Sequence, residues 1–234
     1  MLSSLEKDIV NERKFSGHAS CLPRVLAVVS AYCAADDWFA EGVVNSIYFD
    51  TPALSSYLDK ANGDNLKAKL RLRWYGRRDD LAASVPSFLE VKFRLGAARR
   101  KERIEVDAPR ALLVDEPFEG PALGDFVRGH AAALGIPLGL EWRPVCCISY
   151  SRRRFFDTPS HSRVSVDWDI RADRFDRARF PWAVPFALDA MVCEFKNDAG
   201  RPPLWAEAVR DAGLSYGSFS KYGECMRRLT EGKT

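Results

Sequence analysis

Between Lys67 and Trp74 every second residue is basic and every intervening one is apolar. Successive side chains of a β-strand point to opposite faces. Lys67, Lys69, Arg71 and Arg73 therefore share one side of the pleat, and Ala68, Leu70, Leu72 and Trp74 the other. The stretch SFLEVKFR repeats the arrangement, with Glu90, Lys92 and Arg94 opposing Leu89, Val91 and Phe93. RRKERIEVDAP sets Lys101, Arg103 and Glu105 against Glu102, Ile104 and Val106. A sheet with this period can bury only one face against apolar neighbours. The other must meet water or a charged ligand.

The rest of the chain fits around these strands. IVNERKF places Val10, Glu12 and Lys14 on one face of a first strand. Leu22, Val25, Leu26, Val29 and Tyr32 recur at helical spacing within Ala19–Ala35, where Pro23 suits the first turn. VVNSIYFDT reads as a strand and TPALSSYLDKANG as a short helix ended by Gly63. From Asp107 to Arg143 a mostly helical insertion is predicted. RPVCCISYSRRRFFD and SRVSVDWDIRAD read as two strands joined by the turn TPSHS, and AMVCEFKND as a last strand. Leu204 to Leu229 reads as helical, broken near Gly213 to Gly217. About eight antiparallel strands with inserted helices predict an α+β fold, with residues 1–234 as a single domain.

Composition narrows the function classes. The net charge of +3 conceals 35 basic and 32 acidic residues, which does not fit a uniformly basic nucleic-acid binder. The six cysteines show no Cys-x-x-Cys spacing and no partnering histidine, as expected of reduced thiols in a cytoplasmic protein. No apolar run approaches the ~20 residues of a membrane-spanning helix, and no signal pattern precedes LEKDIVNERK. RNA binding is disfavoured, because the aromatic residues are expected on apolar faces rather than among the arginines.

One amphipathic strand would ordinarily turn its charges to water. Several in one domain predict the reverse: a closed, antiparallel β-barrel whose apolar outer faces pack under helices and whose lumen is charged. Arginine carries the planar donor fork suited to phosphate oxygens. Inward cations repel one another unless an anion or nearby carboxylates compensate, and Glu12, Glu90, Asp167 and Glu194 are placed to do so directly or through a divalent metal. The constellation predicts a polyanionic phosphate ligand with a metal ion.

Nine short motifs keep the order seen in one known family. They are ERKF (12–15), SIYFDT (46–51), KLRLRWYG (69–76), FLEVKFR (88–94) and KER (101–103), then SYSRRRF (149–155), RVSVDWD (163–169), CEFK (193–196) and SFSKY (218–222). In this order the chain resembles the catalytic domain of the vacuolar transporter chaperone (VTC) family, a branch of the triphosphate tunnel metalloenzymes related to the CYTH phosphatases. The resemblance implies a triphosphate tunnel in which ATP's terminal phosphate is added to a growing polyphosphate chain, with Mn²⁺ or Mg²⁺. It further implies Lys14, Arg71, Arg73, Lys92, Arg152, Arg163 and Lys221 as residues acting on the phosphates. Lys101, Tyr150 and Ser220 become substrate-binding residues, joined on the same faces by Arg154 and Lys69. Glu194 becomes the principal metal carboxylate, with Glu90, Glu12 and Asp167 as secondary ones. The expected partners are ATP and polyphosphate or another triphosphate, and a membrane-protein partner is compatible with the resemblance.

CYTH phosphatases open on a Glu-x-Glu-x-Lys strand, whereas here the equivalent positions are Val10, Glu12 and Lys14. The missing first acid favours the VTC branch over a triphosphatase. The chain is expected to be a standalone catalytic core, without an N-terminal sensing domain. Hydrolysis in the same tunnel and a non-catalytic polyphosphate-binding module are the competing expectations. Polymerisation needs no general base, since the acceptor phosphate is already anionic, and His18, His130 and His161 are assigned ordinary surface roles. No GxxxxGK[ST] or GxGxxG motif occurs.

Overall fold

The computed structural model describes residues 11–62, 66–95, 98–133, 141–197 and 201–232; side chains at 11, 59–62, 66–68, 93–95, 98–100 and 133 are not described. Val10 and the side chains of Lys67 and Arg94 therefore lie outside the described residues. In chain order the elements are β1 (Asn11–His18), α1 (Leu22–Tyr32), β2 (Ala34–Ala35), β3 (Glu41–Asp50), α2 (Ser55–Asn62), β4 (Leu66–Tyr75), β5 (Ser84–Leu95) and β6 (Ala98–Pro109). There follow α3 (Arg110–Val114), α4 (Ala122–Ala133), β7 (Arg143–Asp157), β8 (Ser162–Phe175), β9 (Phe186–Leu188), β10 (Ala190–Asn197), α5 (Glu207–Asp211), β11 (Ser215–Tyr216) and α6 (Lys221–Glu231).

The chain divides into two compact units. One holds Met1–Gly42, Tyr150–Ile170 and Leu188–Phe219; the other holds Val43–Ser149, Arg171–Ala187 and Ser220–Thr234. Strands β7 and β8 contribute residues to both.

In the first unit the strand order is β11-β1-β10-β8-β7. β1 pairs antiparallel with β10, with Lys14 opposite Glu194 and Glu12 opposite Lys196. β10 pairs antiparallel with β8, setting Lys196 opposite Arg163 and Val192 opposite Asp167. The apolar face carries Phe15, Val164, Val166, Cys193 and Phe195, all buried. That face packs with Val25 and Val29 of α1 and with Ala206 and Val209. Pro23 falls in the first turn of α1, where its missing N–H costs no helical hydrogen bond. Gly213 takes φ +105°, a conformation open to glycine, and turns the chain from α5 into β11.

In the second unit the order is β7-β3-β4-β5-β6. Leu70, Leu72 and Trp74 of β4, Leu89 and Val91 of β5, and Val106 and Ala108 of β6 form one buried face. Leu113 of α3 and Leu123, Val127 and Ala131 of α4 cover it. In both units the apolar strand faces lie under helices, as the alternation predicts.

Each pairing path has an end, β11 in one unit and β6 in the other, so the strand order among the described residues is open where a closed barrel was expected. The segment after Asp107 is also less helical than expected. β6 runs on to Pro109, and the helical residues are those of α3 and α4. Val106 and Ala108 continue the period-2 burial of β6, which carries the strand up to Pro109 before α3 begins.

Candidate phosphate-binding faces

In the second unit the charged residues stand in rows across the sheet. Lys69, Lys92 and Lys101 lie directly opposite one another on β4, β5 and β6. Arg71, Glu90 and Arg103 form the next row on that face, and Arg73, Phe88 and Glu105 the one after. Like charges opposite one another in a ladder repel, so a row of three lysines has a use only beside negative charge.

Glu90 supplies part of that charge from a buried position. Arg71 donates to its Oε2 from Nε at 2.6 Å and reaches the same oxygen with Nη2 at 2.5 Å. Arg73 Nη1 lies 3.8 Å from Oε2, while Lys101 Nζ and Arg103 Nε lie 3.5 and 3.8 Å from Oε1. Burial alone would raise the Glu90 pKa, but Arg71, Arg73 and Lys101 outweigh it and lower it from 4.5 to about 2. One carboxylate thus serves four cations.

Arg71 has a second anchor. Its Nη1 donates to the Tyr48 hydroxyl at 3.3 Å, and its guanidinium lies 6.0 Å from that ring's centroid. Tyr48 stacks on Tyr222 of α6, with centroids 4.8 Å apart and planes 15° from parallel. The Tyr222 hydroxyl donates to Asp50 Oδ2 at 2.6 Å. Asp50 is fully buried and also accepts from the backbone N–H groups of Thr51, Ser56 and Tyr57. These bonds cap the start of α2 and hold the first turn of α6 to β3. Burial and the Asp50 carboxylate push the Tyr222 phenol well above its usual pKa. Ser220 is the N-cap of α6, its hydroxyl accepting from Gly223 N at 3.1 Å, and Lys221 is the first helical residue.

In the first unit Glu12, Lys14, Glu194 and Lys196 form a ring of alternating charge. Lys14 Nζ is 2.6 Å from Glu12 and 3.7 Å from Glu194. Lys196 Nζ is 3.9 Å from Glu12 and also pairs with Glu194. Lys14 further donates to the Phe219 carbonyl at 3.3 Å. Next to the ring, Arg163 stands opposite Lys196 and is exposed. Arg152 grips Asp167 with both ends of its fork, Nε to Oδ1 at 2.6 Å and Nη2 to Oδ2 at 2.7 Å. Its guanidinium carbon lies 5.3 Å from the centroid of the buried Tyr150 ring. Arg154 turns its Nη1 to the Phe39 carbonyl at 3.0 Å.

The four acidic candidates separate on this geometry. Glu90 and Asp167 have both oxygens engaged by cations of their own unit and act as counter-ions. Glu12 and Glu194 share the same two ammonium groups from diagonal positions on the neighbouring strands β1 and β10. That donor set suits Mg²⁺ or Mn²⁺, which takes one or two carboxylates alongside phosphate and water oxygens. Among the described residues no group of three or more His, Cys, Asp or Glu converges as a metal cage.

The sequence reading missed Tyr48, Asp50 and Tyr222, and it named Lys196 and Arg103 without a role. Trp74 is buried on the apolar face as expected, but other aromatic residues are not so placed. Tyr48, Tyr75 and Phe88 share the face of Arg71 and Arg73, because they fall on the same parity of their strands. The premise used against nucleic-acid bases therefore does not hold in this unit. His18 and His161 are exposed and His130 is half-buried, its Nδ1 2.8 Å from the Phe126 carbonyl. All six cysteines are free and buried. No helix among the described residues is long and apolar enough to cross a membrane.

The fold is α+β, with a basic, carboxylate-buffered sheet face in each unit. The chain belongs to the VTC domain family, whose model matches residues 10–117 and 138–230. Among solved structures it resembles a suggested adenylyl cyclase from Hippeastrum, described as having a dominant triphosphatase activity. The two are 16% identical over 96% of each chain, with a TM-score of 0.53. A suggested adenylate cyclase from Vibrio parahaemolyticus is 14% identical over 92% of this chain and 97% of its own, with a TM-score of 0.46. The first of these likenesses establishes a shared fold. No curated protein sequence matches significantly.

Proposed function

We propose that the chain is a metal-dependent polyphosphate polymerase, a single domain whose charged strand faces bind ATP and a growing polyphosphate chain. Membership of the VTC family supports this. The observation that carries it is the Lys69–Lys92–Lys101 row beside the Arg71–Glu90–Arg103 row, whose buried Glu90 also meets Arg73 and Lys101. Such a face suits an extended chain of phosphates, which offers negative charge at each repeat.

In the proposed reaction an oxygen of the acceptor chain's terminal phosphate attacks the γ-phosphorus of ATP. The bond from that phosphorus to the β-bridging oxygen breaks, and ADP leaves with the electron pair. The attacking oxygen is already anionic, so no side chain has to accept a proton. Lys14, Lys92, Arg71, Arg73, Arg152, Arg163 and Lys221 hold and neutralise the phosphates, with Lys69, Lys101, Tyr150, Arg154 and Ser220 in support. Glu194, with Glu12 beside it, would hold a Mn²⁺ or Mg²⁺ ion, which supplies further charge neutralisation at phosphate oxygens. When phosphate enters, Lys14 and Lys196 exchange carboxylate partners for phosphate oxygens. A cytoplasmic location and a membrane-protein partner for the product chain complete the proposal.

A second reading, hydrolysis of a triphosphate, is favoured by the fold shared with the Hippeastrum protein and its triphosphatase activity. Incubation of the purified chain with ATP and Mn²⁺, with the products resolved by size, separates the two. Long chains support the polymerase and free phosphate alone supports the hydrolase. Unchanged ATP with bound polyphosphate reduces the protein to a binding module.

A further inference from the structure

Along the β4–β5–β6 face the chemistry changes in one direction. Alternate rows of a sheet lie roughly 6.8 Å apart along the strands. The lysine row comes first, then Arg71–Glu90–Arg103, then Arg73–Phe88–Glu105, with Tyr75 one step further along β4. Cations thin out as aromatic rings appear. We propose that Tyr75, Phe88 and Arg103 form a stacking platform for the base of a nucleoside triphosphate whose phosphates lie along the basic rows. This rests on the phosphate-binding reading above and adds to it the nucleoside end of the substrate.

Three features of the cluster support a platform. The Arg103 guanidinium carbon sits 3.7 Å from the Phe88 ring centroid, a stacking distance. Its Nε is steered at the same time by Glu90 Oε1, 3.8 Å away, so the planar cation is fixed by a ring and by a carboxylate. Tyr75 meets Phe88 edge-on, with centroids 6.0 Å apart and planes at 67°. The group is nevertheless open: Tyr75 is 40% exposed and the Arg103 side chain 43%. A brace with only a packing role gains most when its rings are buried. A planar cation and an open ring, held in place beside phosphate-binding rows, instead match what a base stacks on. One row spacing is roughly the reach of a ribose between the base and the first phosphate. Every base has a π-face, so the platform selects nucleotide over bare triphosphate more strongly than one base over another.

The test is calorimetric titration of the full chain with ATP and, separately, with inorganic tripolyphosphate, both with Mg²⁺. Wild type is compared with Phe88→Leu, Tyr75→Leu and the ring-preserving Phe88→Tyr, and melting curves confirm folding. Phe88→Leu and Tyr75→Leu should weaken ATP binding about 5- to 100-fold. They should shift tripolyphosphate binding less than about 2-fold, and Phe88→Tyr should retain ATP affinity. Equal losses for both ligands, or unchanged ATP affinity in the leucine variants, overturn the platform while leaving the phosphate reading intact. Wild type that binds neither ligand overturns both.

Discussion

The Nε of Arg71 lies 2.6 Å from Oε2 of Glu90, directly across the β4–β5 ladder. Glu90 is 5% exposed and is shared with Arg73, Lys101 and Arg103. A buried carboxylate therefore holds four cations from neighbouring rows together.

Neutralising that carboxylate should expose the repulsion it offsets. Glu90→Gln is expected to destabilise the protein by about 3–5 kcal/mol, the usual cost of breaking a buried pair. Tripolyphosphate should then raise the melting temperature of the variant more than that of wild type, because the ligand replaces the lost charge. Equal stabilisation of both proteins would contradict the counter-ion role.

The pH dependence has a definite sign. Glu90 is held at about 2 against an ordinary 4.5, so its contribution to stability is complete above about 4.5 and is lost as pH falls through about 2. Denaturation of wild type and Glu90→Gln across this range should show a constant difference above pH 5 that shrinks toward pH 2. A difference that grows on acidification would contradict the assignment.

Tyr222 and Asp50 are 172 residues apart in sequence and bonded at 2.6 Å. Tyr222→Phe keeps the stack on Tyr48 and removes only this bond to a buried carboxylate. It should cost about 1.5–3 kcal/mol in urea denaturation. Faster hydrogen exchange in the first turn of α6 should accompany it, and a neutral substitution would show that packing alone seats the helix.

Arg152 and Arg163 should part company when each is changed to alanine. Arg152→Ala removes the two-pronged ion pair to the fully buried Asp167, and a stability loss of about 3–5 kcal/mol is expected. Arg163 is exposed, so Arg163→Ala should stay within about 0.5 kcal/mol of wild type while weakening polyphosphate binding. Similar melting curves for the two variants would contradict the division between them.

Much of this was legible in the sequence, because period-2 alternation reports faces directly. RPVCCISYSRRRFFD is β7 residue for residue, and Leu70, Leu72, Leu89 and Val91 are buried as their parity requires. Alternation also puts Phe88 and Tyr75 among the cations, a signal present in the sequence and passed over there. The Asp50–Tyr222 bond had no comparable signal, since no local pattern links residues so far apart. The two-residue strands β2 and β11 were equally hidden, because pairing with β7 and β1 creates them rather than propensity. Closure of the sheet belongs with these: alternation assigns faces, but strand order is set by long-range pairing.

The proposed transfer of phosphate from ATP onto a chain is tested most directly by following a label. The protein is incubated with Mn²⁺ and ATP radiolabelled at the γ-phosphate or, in parallel, at the α-phosphate. The γ-label should accumulate in long chains, the α-label should remain in nucleotide, and Glu194→Ala should abolish the transfer. γ-Label recovered only as free phosphate, or left in ATP, would contradict it.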